Sequence, residues 1–339
     1  MLKLFQSIFG LEGGGGEERG RYPESLIEMA IERAVDGIDP RLRALPGYKK
    51  KLRPSIIHAI DQVVALVDSI PAPMPAGRND FSTDARLIAL FASADHMLEV
   101  YGSDAALNEF RASSAASAER VTALLLTERV EKNVLGMDMD GDMLRREVAQ
   151  VAINFRSHRL LEPSANEADT RRQLKRRAFD HLLTLALTRI AEMQSERADL
   201  ARQRDLLRRK LSTLERSGWS FEAVEGARPD PDALNAELKE IETELNKLGD
   251  DSGALQARLD IVVDVLGQAG QQLWIEDRVM HLDRMNIQRD TQDASAQRVV
   301  LQELINARGR RLAVLLVSLA PGELPQREDM ITAAERYLV

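Results

Sequence analysis

The sequence predicts an α+β fold, predominantly α: an N-terminal helical domain, then a small antiparallel β-sheet built from two sequence segments, with a long antiparallel coiled-coil hairpin inserted between them. Three observations lead there. Two long stretches either side of Trp219 carry apolar residues at alternating three- and four-residue spacing, the seam of a coiled coil. The segments before and after them alternate apolar and polar residues with period two, as half-buried strands do. The first third instead keeps the helical period between Pro and Gly stops. The expected boundaries are 1–20 for an amphipathic helix and tether, 21–118 for a helical domain and 119–163 for the first part of the sheet. The hairpin then takes 164–270 with its tip near 217–231, the second part of the sheet 271–325 and a final helix 326–339.

The hairpin's first arm, from about Asn166 to Glu215, contains no Pro or Gly. Phe179, Ala186, Met193, Leu200, Leu207 and Leu214 recur every seventh position, with Leu183, Ile190 and Leu211 four residues after some of them. Arg197 and Arg204 interrupt that companion row. At ~1.5 Å per residue such an arm reaches about 75 Å, longer than a single globular core. The second arm keeps the spacing through Leu234, Leu238, Ile241, Leu245, Leu248, Leu255, Leu259, Val262 and Leu266. Gly249 to Gly253 predicts a local kink there, with Ser252 as a cap for the restarted helix. Between the arms, Ser217-Gly218 with Pro229 and Pro231 is turn chemistry. Trp219 and Phe221 stand at this tip, either plugging the end of the coiled coil or anchoring a partner.

At the N-terminus, Leu2, Leu4, Phe5, Ile8 and Phe9 share one side of a helical wheel, and Gly13 to Gly16 follow as a flexible link. A short apolar helix on a loose tether is a candidate anchor to a membrane surface or partner, or docks on its own chain. Helical patterns then run from Pro23 to Gly37, briefly after Asp39-Pro40, and from Pro54 to Ile70 behind the basic cluster Lys49, Lys50, Lys51 and Arg53. Pro71, Pro73 and Pro75 read as a stiff linker, and two or three more helices follow from Thr83 to about Glu128. This amphipathic segment combined with a helical hairpin resembles phage-shock membrane-remodelling proteins. The sheet and the separate helical domain depart from that pattern, and no residue roles carry over.

Three strands are expected in the first sheet segment: Val121 to Leu126, Asn133 to Met139, and Asp142 to Phe155, the last two joined at the turn pair Asp140-Gly141. After the hairpin, Arg278 to Gln288, Val299 to Asn306 and Arg310 to Leu319 carry the same alternation, the last two joined by Ala307-Arg308-Gly309.

Chemistry is sparsely marked. The chain of 339 residues has a net charge of −8, which argues against general nucleic-acid binding. It has no cysteine, hence no disulfide, thiolate metal site or cysteine nucleophile. No apolar run approaches the ~20 residues of a membrane span. No phosphate loop, dinucleotide fingerprint or nucleophile elbow is present, and no cofactor is implied. Asp138, Asp140 and Asp142 invite a cation, but they lack the calcium-loop arrangement, and a polar turn that keeps the strands soluble accounts for them. The five histidines, His58, His96, His158, His181 and His281, show no paired spacing. Arg204, Arg208, Arg209 and Lys210 are candidates for phosphate contact, competing with ion pairing to acidic residues of the second arm.

The sequence therefore predicts a non-catalytic, self-associating scaffold or adaptor, cytoplasmic or peripheral at the inner face of a membrane, with a protein partner or a second copy on the coiled-coil arm. The alternative is a nucleic-acid- or ribosome-associated factor using the arginine face. An enzyme with a site assembled around Asp138, Asp140 and a histidine is the third reading.

Overall fold

The computed structural model describes residues 22–113, 118–140, 143–217, 231–247, 251–293 and 295–325. The N-terminal amphipathic segment, Trp219 and Phe221, and the C-terminal helix expected at 326–339 lie outside them. The fold is α+β and mainly helical. Its helices are α1 (Glu24–Ile38), α2 (Tyr48–Asp68), α3 (Ala85–Leu90), α4 (Ala94–Ser103), α5 (Ala105–Ala112), α6 (Glu167–Ser217), α7 (Pro231–Lys247), α8 (Asp251–Gly267) and α9 (Ala269–Gln272), with a 3-10 turn at Pro40–Ala44. Two compact units divide the described residues: 61–178 with 270–325, and 22–60 with 179–269. The residues of the expected helical domain 21–118 thus fall into both, and α2 and α6 each contribute to both.

In the first unit six strands form one sheet: β1 (Met74–Pro75), β2 (Val121–Asp140), β3 (Met143–Ser164), β4 (Leu273–Leu282), β5 (Gln297–Asn306) and β6 (Arg311–Leu319). The order is β3-β2-β6-β5-β4, with every neighbour antiparallel, and β1 adds to β6 in parallel. Most neighbours are consecutive strands; β2 and β6 pair from Val121↔Leu319 to Thr127↔Ala313. The alternation of side chains sends Val121, Ala123 and Leu125 to one face, against Leu87, Phe91, Met97 and Tyr101 of the α3–α5 region. Leu124 and Leu126 go to the other face, with Val314 and Leu316, under Val67 and Ile70 and Leu174 of α6. Because β6 is covered on both faces, it reads Leu-Ala-Val-Leu-Leu-Val without polar breaks. Side-chain caps start the three short helices: Asp84 accepts from Arg86 N–H, Ser93 from His96 N–H and Asp104 from Leu107 N–H.

The first turns of α6 are tied into this sheet. Thr170 is fully buried; its hydroxyl donates to the Thr122 carbonyl at 2.9 Å and meets the Ser164 hydroxyl at 2.8 Å. The Arg171 guanidinium donates to the carbonyls of Val67, Ile70 and Pro71, which follow or end α2; Val67 also accepts from the Ile70 N–H at 3.3 Å. Lys175 pairs with Asp68 at 2.8 Å beside it.

Several expectations are corrected. The strands expected separately at 121–126 and 133–139 are one strand of 20 residues, and β3 runs 22. The charged stretch Thr127 to Lys132 hid this, since beyond Thr127 β2 pairs only with β3 and the apolar side chains of that part of the ribbon, Ile153 and Phe155, belong to β3. Register shifts occur at three places, each with an extra residue on β3, and each contains a left-handed residue: Glu147, Ser157 and Glu162. The proline linker contains β1, α2 begins six residues ahead of Pro54, and Ser252 lies inside α8. The basic cluster at Lys49–Arg53 is therefore helical and largely paired: Lys49 with Glu32, Lys51 with Asp260, Arg53 with Glu24.

The second unit is a helical body built from α1, the start of α2, the greater part of α6, and α7 and α8. Leu26, Ile27, Ile31, Leu52, Ile56, Phe179, Leu182, Ala186, Ile190, Val262 and Leu266 are buried in it. Arg33 pairs with Asp180, binding α1 to α6. Arg189 meets Asp264 and Arg208 meets Glu242, so α6 runs antiparallel to α7 and α8.

Replacing Thr170 by Val removes the hydroxyl contacts to Thr122, Ser164 and Asn166 from a dry site, and a loss of ~1–3 kcal/mol is expected. Urea unfolding followed by circular dichroism measures it; an unchanged midpoint contradicts the anchoring role.

Candidate interaction surfaces

Past Ile190, the half-buried positions of α6 are Met193, Arg197, Leu200, Ala201, Arg204, Leu211 and Leu214, with Leu207 buried, and together they make one narrow stripe. Leu234, Leu238, Ile241 and Leu245 form the matching row on α7. Arg197 and Arg204, which interrupt the apolar pattern, keep their places on the seam because long aliphatic stems cover it while the guanidinium reaches water. In the amide orientation that satisfies both groups, the Gln194 carbonyl accepts from Arg258 at 2.8 Å and 3.2 Å. The seam is thus filled from within the chain. Leu206 alone stands clear of it, 53% exposed, between Arg202, Arg209 and Lys210.

The candidate phosphate-binding residues share this stretch but not a common task. Arg208 is held by Glu242 at 2.6 Å, and Arg204 by Asp205 at 2.8 Å. Arg209 and Lys210 are exposed. The membrane or partner anchor Leu2, Leu4, Phe5, Ile8 and Phe9 and the tip pair Trp219 and Phe221 lie outside the described residues.

At the ribbon end, Asp138 and Asp140 pair in register with Arg145 and Met143. Among the described residues no group of His, Asp and Glu is arranged to hold a metal ion. No described helix is long and apolar enough to cross a membrane. The space lined by Leu90, Leu125, Thr127, Leu301 and Leu315 is apolar and too tight for water. Of the histidines, His158 lies stacked on Phe91 at 4.6 Å with Nε2 2.9 Å from the Leu90 carbonyl, and His96 faces it at 6.5 Å. Burial lowers the pKa of His158 and of His181, which keeps both neutral near pH 7. This ring pair reads as the polar margin of the core around Tyr101.

Two features escaped the sequence reading. Glu303 stands where β5 should place an apolar residue, between Leu301 and Ile305, and is 2% exposed. Arg129 donates to it at 2.5 Å and also pairs with Glu131, while Arg311 lies 3.6 Å from Glu303 and 3.9 Å from Glu276. A charged residue on the apolar row was the available signal. These groups satisfy one another across four strands and leave no donor set converging on an outside ligand. The second is an apolar pair on the ribbon, Leu135 at 74% and Met137 at 61% exposure.

Comparison of the chain with protein-family models, with curated proteins and with solved structures finds no match.

In the helical unit the tightest charge site is Asp39, 9% exposed, whose carboxylate accepts from Arg41 and Arg258. The Arg41 guanidinium foremost, then its N–H and Arg258, hold the pKa down at about 2 against the opposing effect of burial. A depressed pKa stabilises the fold above the unfolded value of 3.8 and loses that stabilisation as pH falls through about 2. The shift corresponds to ~2 kcal/mol. Asp39→Asn is expected to flatten the stability profile between pH 4 and pH 2; parallel profiles for both proteins, from urea midpoints, contradict it.

Proposed function

We propose that the chain is a non-catalytic, self-associating scaffold or adaptor. In this reading the coiled-coil hairpin, inserted between the two sequence segments that supply the sheet, acts as a spacing arm, and the N-terminal amphipathic segment tethers the protein to a membrane surface or partner. The observation that carries the reading is the second half of α6: from Met193 to Leu214 only a narrow stripe of eight residues is half-buried or buried, on a helix of 51 residues. A helix whose outer face covers no core of its own spends its length on reach and exposure.

The nucleic-acid alternative loses support from the ion pairs of Arg204 and Arg208. Two remaining exposed cations on a chain of net charge −8 supply too few phosphate contacts for salt-sensitive affinity. On the scaffold reading, neither DNA nor RNA is shifted in gels at 50–150 mM salt, values chosen as about the range where counterion release is readable. A shift that weakens when Arg208, Arg209 and Lys210 are neutralised replaces the scaffold reading with the alternative.

Light scattering on the full chain is expected to give a mass at a multiple of 37.8 kDa. A strict monomer across concentration overturns self-association. Liposome flotation is expected to be lost on deleting Met1 to Leu11, and binding that survives the deletion removes the tether from the mechanism.

A further inference from the structure

The ribbon formed by β2 and β3 has two outer edges, and the chain treats them differently. β3 carries all three bulges, and the turn after β4 docks on it: Gln288 N–H donates to the Val151 carbonyl and Ile153 N–H to the Asn286 carbonyl, both at 2.8 Å. Bulges and covering turns are how proteins keep sheet edges from recruiting other strands. The other edge, β2 beyond Thr127, has neither device: no extra residue falls on β2, and among the described residues no strand pairs with it there.

The direction of the free hydrogen-bonding groups follows from those two bonds. Val151 and Ile153 point their N–H and C=O away from β2, so their partners Asn133 and Glu131 point theirs away from β3. With no bulge on β2 the parity continues, and Leu135 and Met137 also present N–H and C=O to the open edge, where the Met137 carbonyl takes one bond from the Gln150 side-chain amide at 3.0 Å and keeps its second lone pair for another donor. The same residues carry the exposed apolar side chains. A strand edge that no other strand pairs with and uncovered apolar surface thus coincide.

We infer that this edge of β2 is where a second copy of the chain adds, antiparallel and about a two-fold axis at Leu135. That register makes every outward-facing residue of the segment a hydrogen-bonded partner: Leu135 against Leu135, and Asn133 against Met137 in both senses. Residues directly opposite share a face, so the two leucines and two methionines merge into one apolar strip. On the opposite face Lys132 falls across from Asp138, and the charges match. Shifting by one residue would turn the apolar rows to opposite faces and lose the strip. The inference rests on the scaffold reading in that both require self-association, but it assigns the contact to the ribbon and not to the helical arm.

The chain has no cysteine, so single introduced thiols report the contact without background. Leu135→Cys in the full chain is expected to give a disulfide-linked dimer under mild oxidation, since hydrogen-bonded partners lie ~5.5 Å apart between Cα atoms, within disulfide reach. Asn133→Cys and Met137→Cys are each expected to stay unlinked alone and to crosslink when mixed. Val148→Cys, on β3, stays unlinked. In light scattering, Leu135→Lys weakens association at least tenfold while Leu206→Lys leaves it unchanged; circular dichroism confirms that both variants fold. An oligomer indifferent to Leu135→Lys, with no crosslink, overturns the ribbon contact and leaves the scaffold reading standing. A monomer whose Leu135→Cys thiol reacts freely overturns both. A monomer whose thiol is protected means that the chain covers its own edge, which also overturns the contact.

Discussion

Burial of the β2–β6 pair on both faces is the constraint from which the sheet unit follows. A strand covered on both sides needs two independent lids, and the chain supplies them from distant stretches. One is α3 to α5; the other is the end of α2 beside the start of α6. The second lid is made of two helix termini, the places where backbone groups go unpaired. Arg171 resolves this with one side chain, giving its donors to the carbonyls at the end of α2, while Thr170 gives its hydroxyl to β2. The apolar burial and the terminal polar groups are therefore satisfied together.

Where the helical lids stop, the sheet changes character. The face that holds Leu301 and Leu315 continues to Glu303 and Arg311, and the apolar row becomes charged. Glu303 is opposite Glu276 in register, a like-charge pair that is tolerable only because Arg129 and Arg311 stand beside it. Burial works against the Arg129 charge, and Glu303 and Glu131 more than offset it, raising its pKa. Past that network β2 goes on with β3 as its only partner.

How much of this was legible depends on whether a residue's neighbours are near in sequence or imposed by distant packing. The seam from Met193 to Leu214 and that from Leu234 to Leu245 were readable because helical spacing reports a buried row directly. Strands β5 and β6 were readable because alternation or continuous apolarity reports burial. The stretch Glu128 to Lys132 was not, since the apolar residues that cover this part of the ribbon, Ile153 and Phe155, come from β3, and β2 itself places Arg129 and Glu131 opposite them. Nor were the bulges: Glu147, Ser157 and Glu162 take left-handed conformations that Gly would have announced. Thr170 and Arg171 looked like ordinary members of a polar first turn, because their partners lie about 48 and 100 residues away. Of the proposed site residues, the sequence located the arginines and offered acidic partners for them on both arms, since charge alternation along facing helices is a local pattern; Arg208 takes Glu242 and Arg204 takes Asp205.

Both the hairpin and the ribbon are long for the core they help to bury, but they differ in what each leaves unmet. Along the hairpin the backbone hydrogen bonds are internal to each helix, the apolar rows face each other, and ion pairs from Arg189 to Arg208 cross between the arms. Leu206 is the chief apolar remainder of that stretch, and a single exposed leucine is ordinary. Along β2 beyond Thr127 the remainder is a row of main-chain donors and acceptors beside two large exposed side chains. Water can satisfy the former but gains nothing from the latter, so a partner strand that covers both has a driving force the hairpin surface lacks. The hairpin is self-sufficient in both its polar and its apolar groups, and the ribbon edge is not.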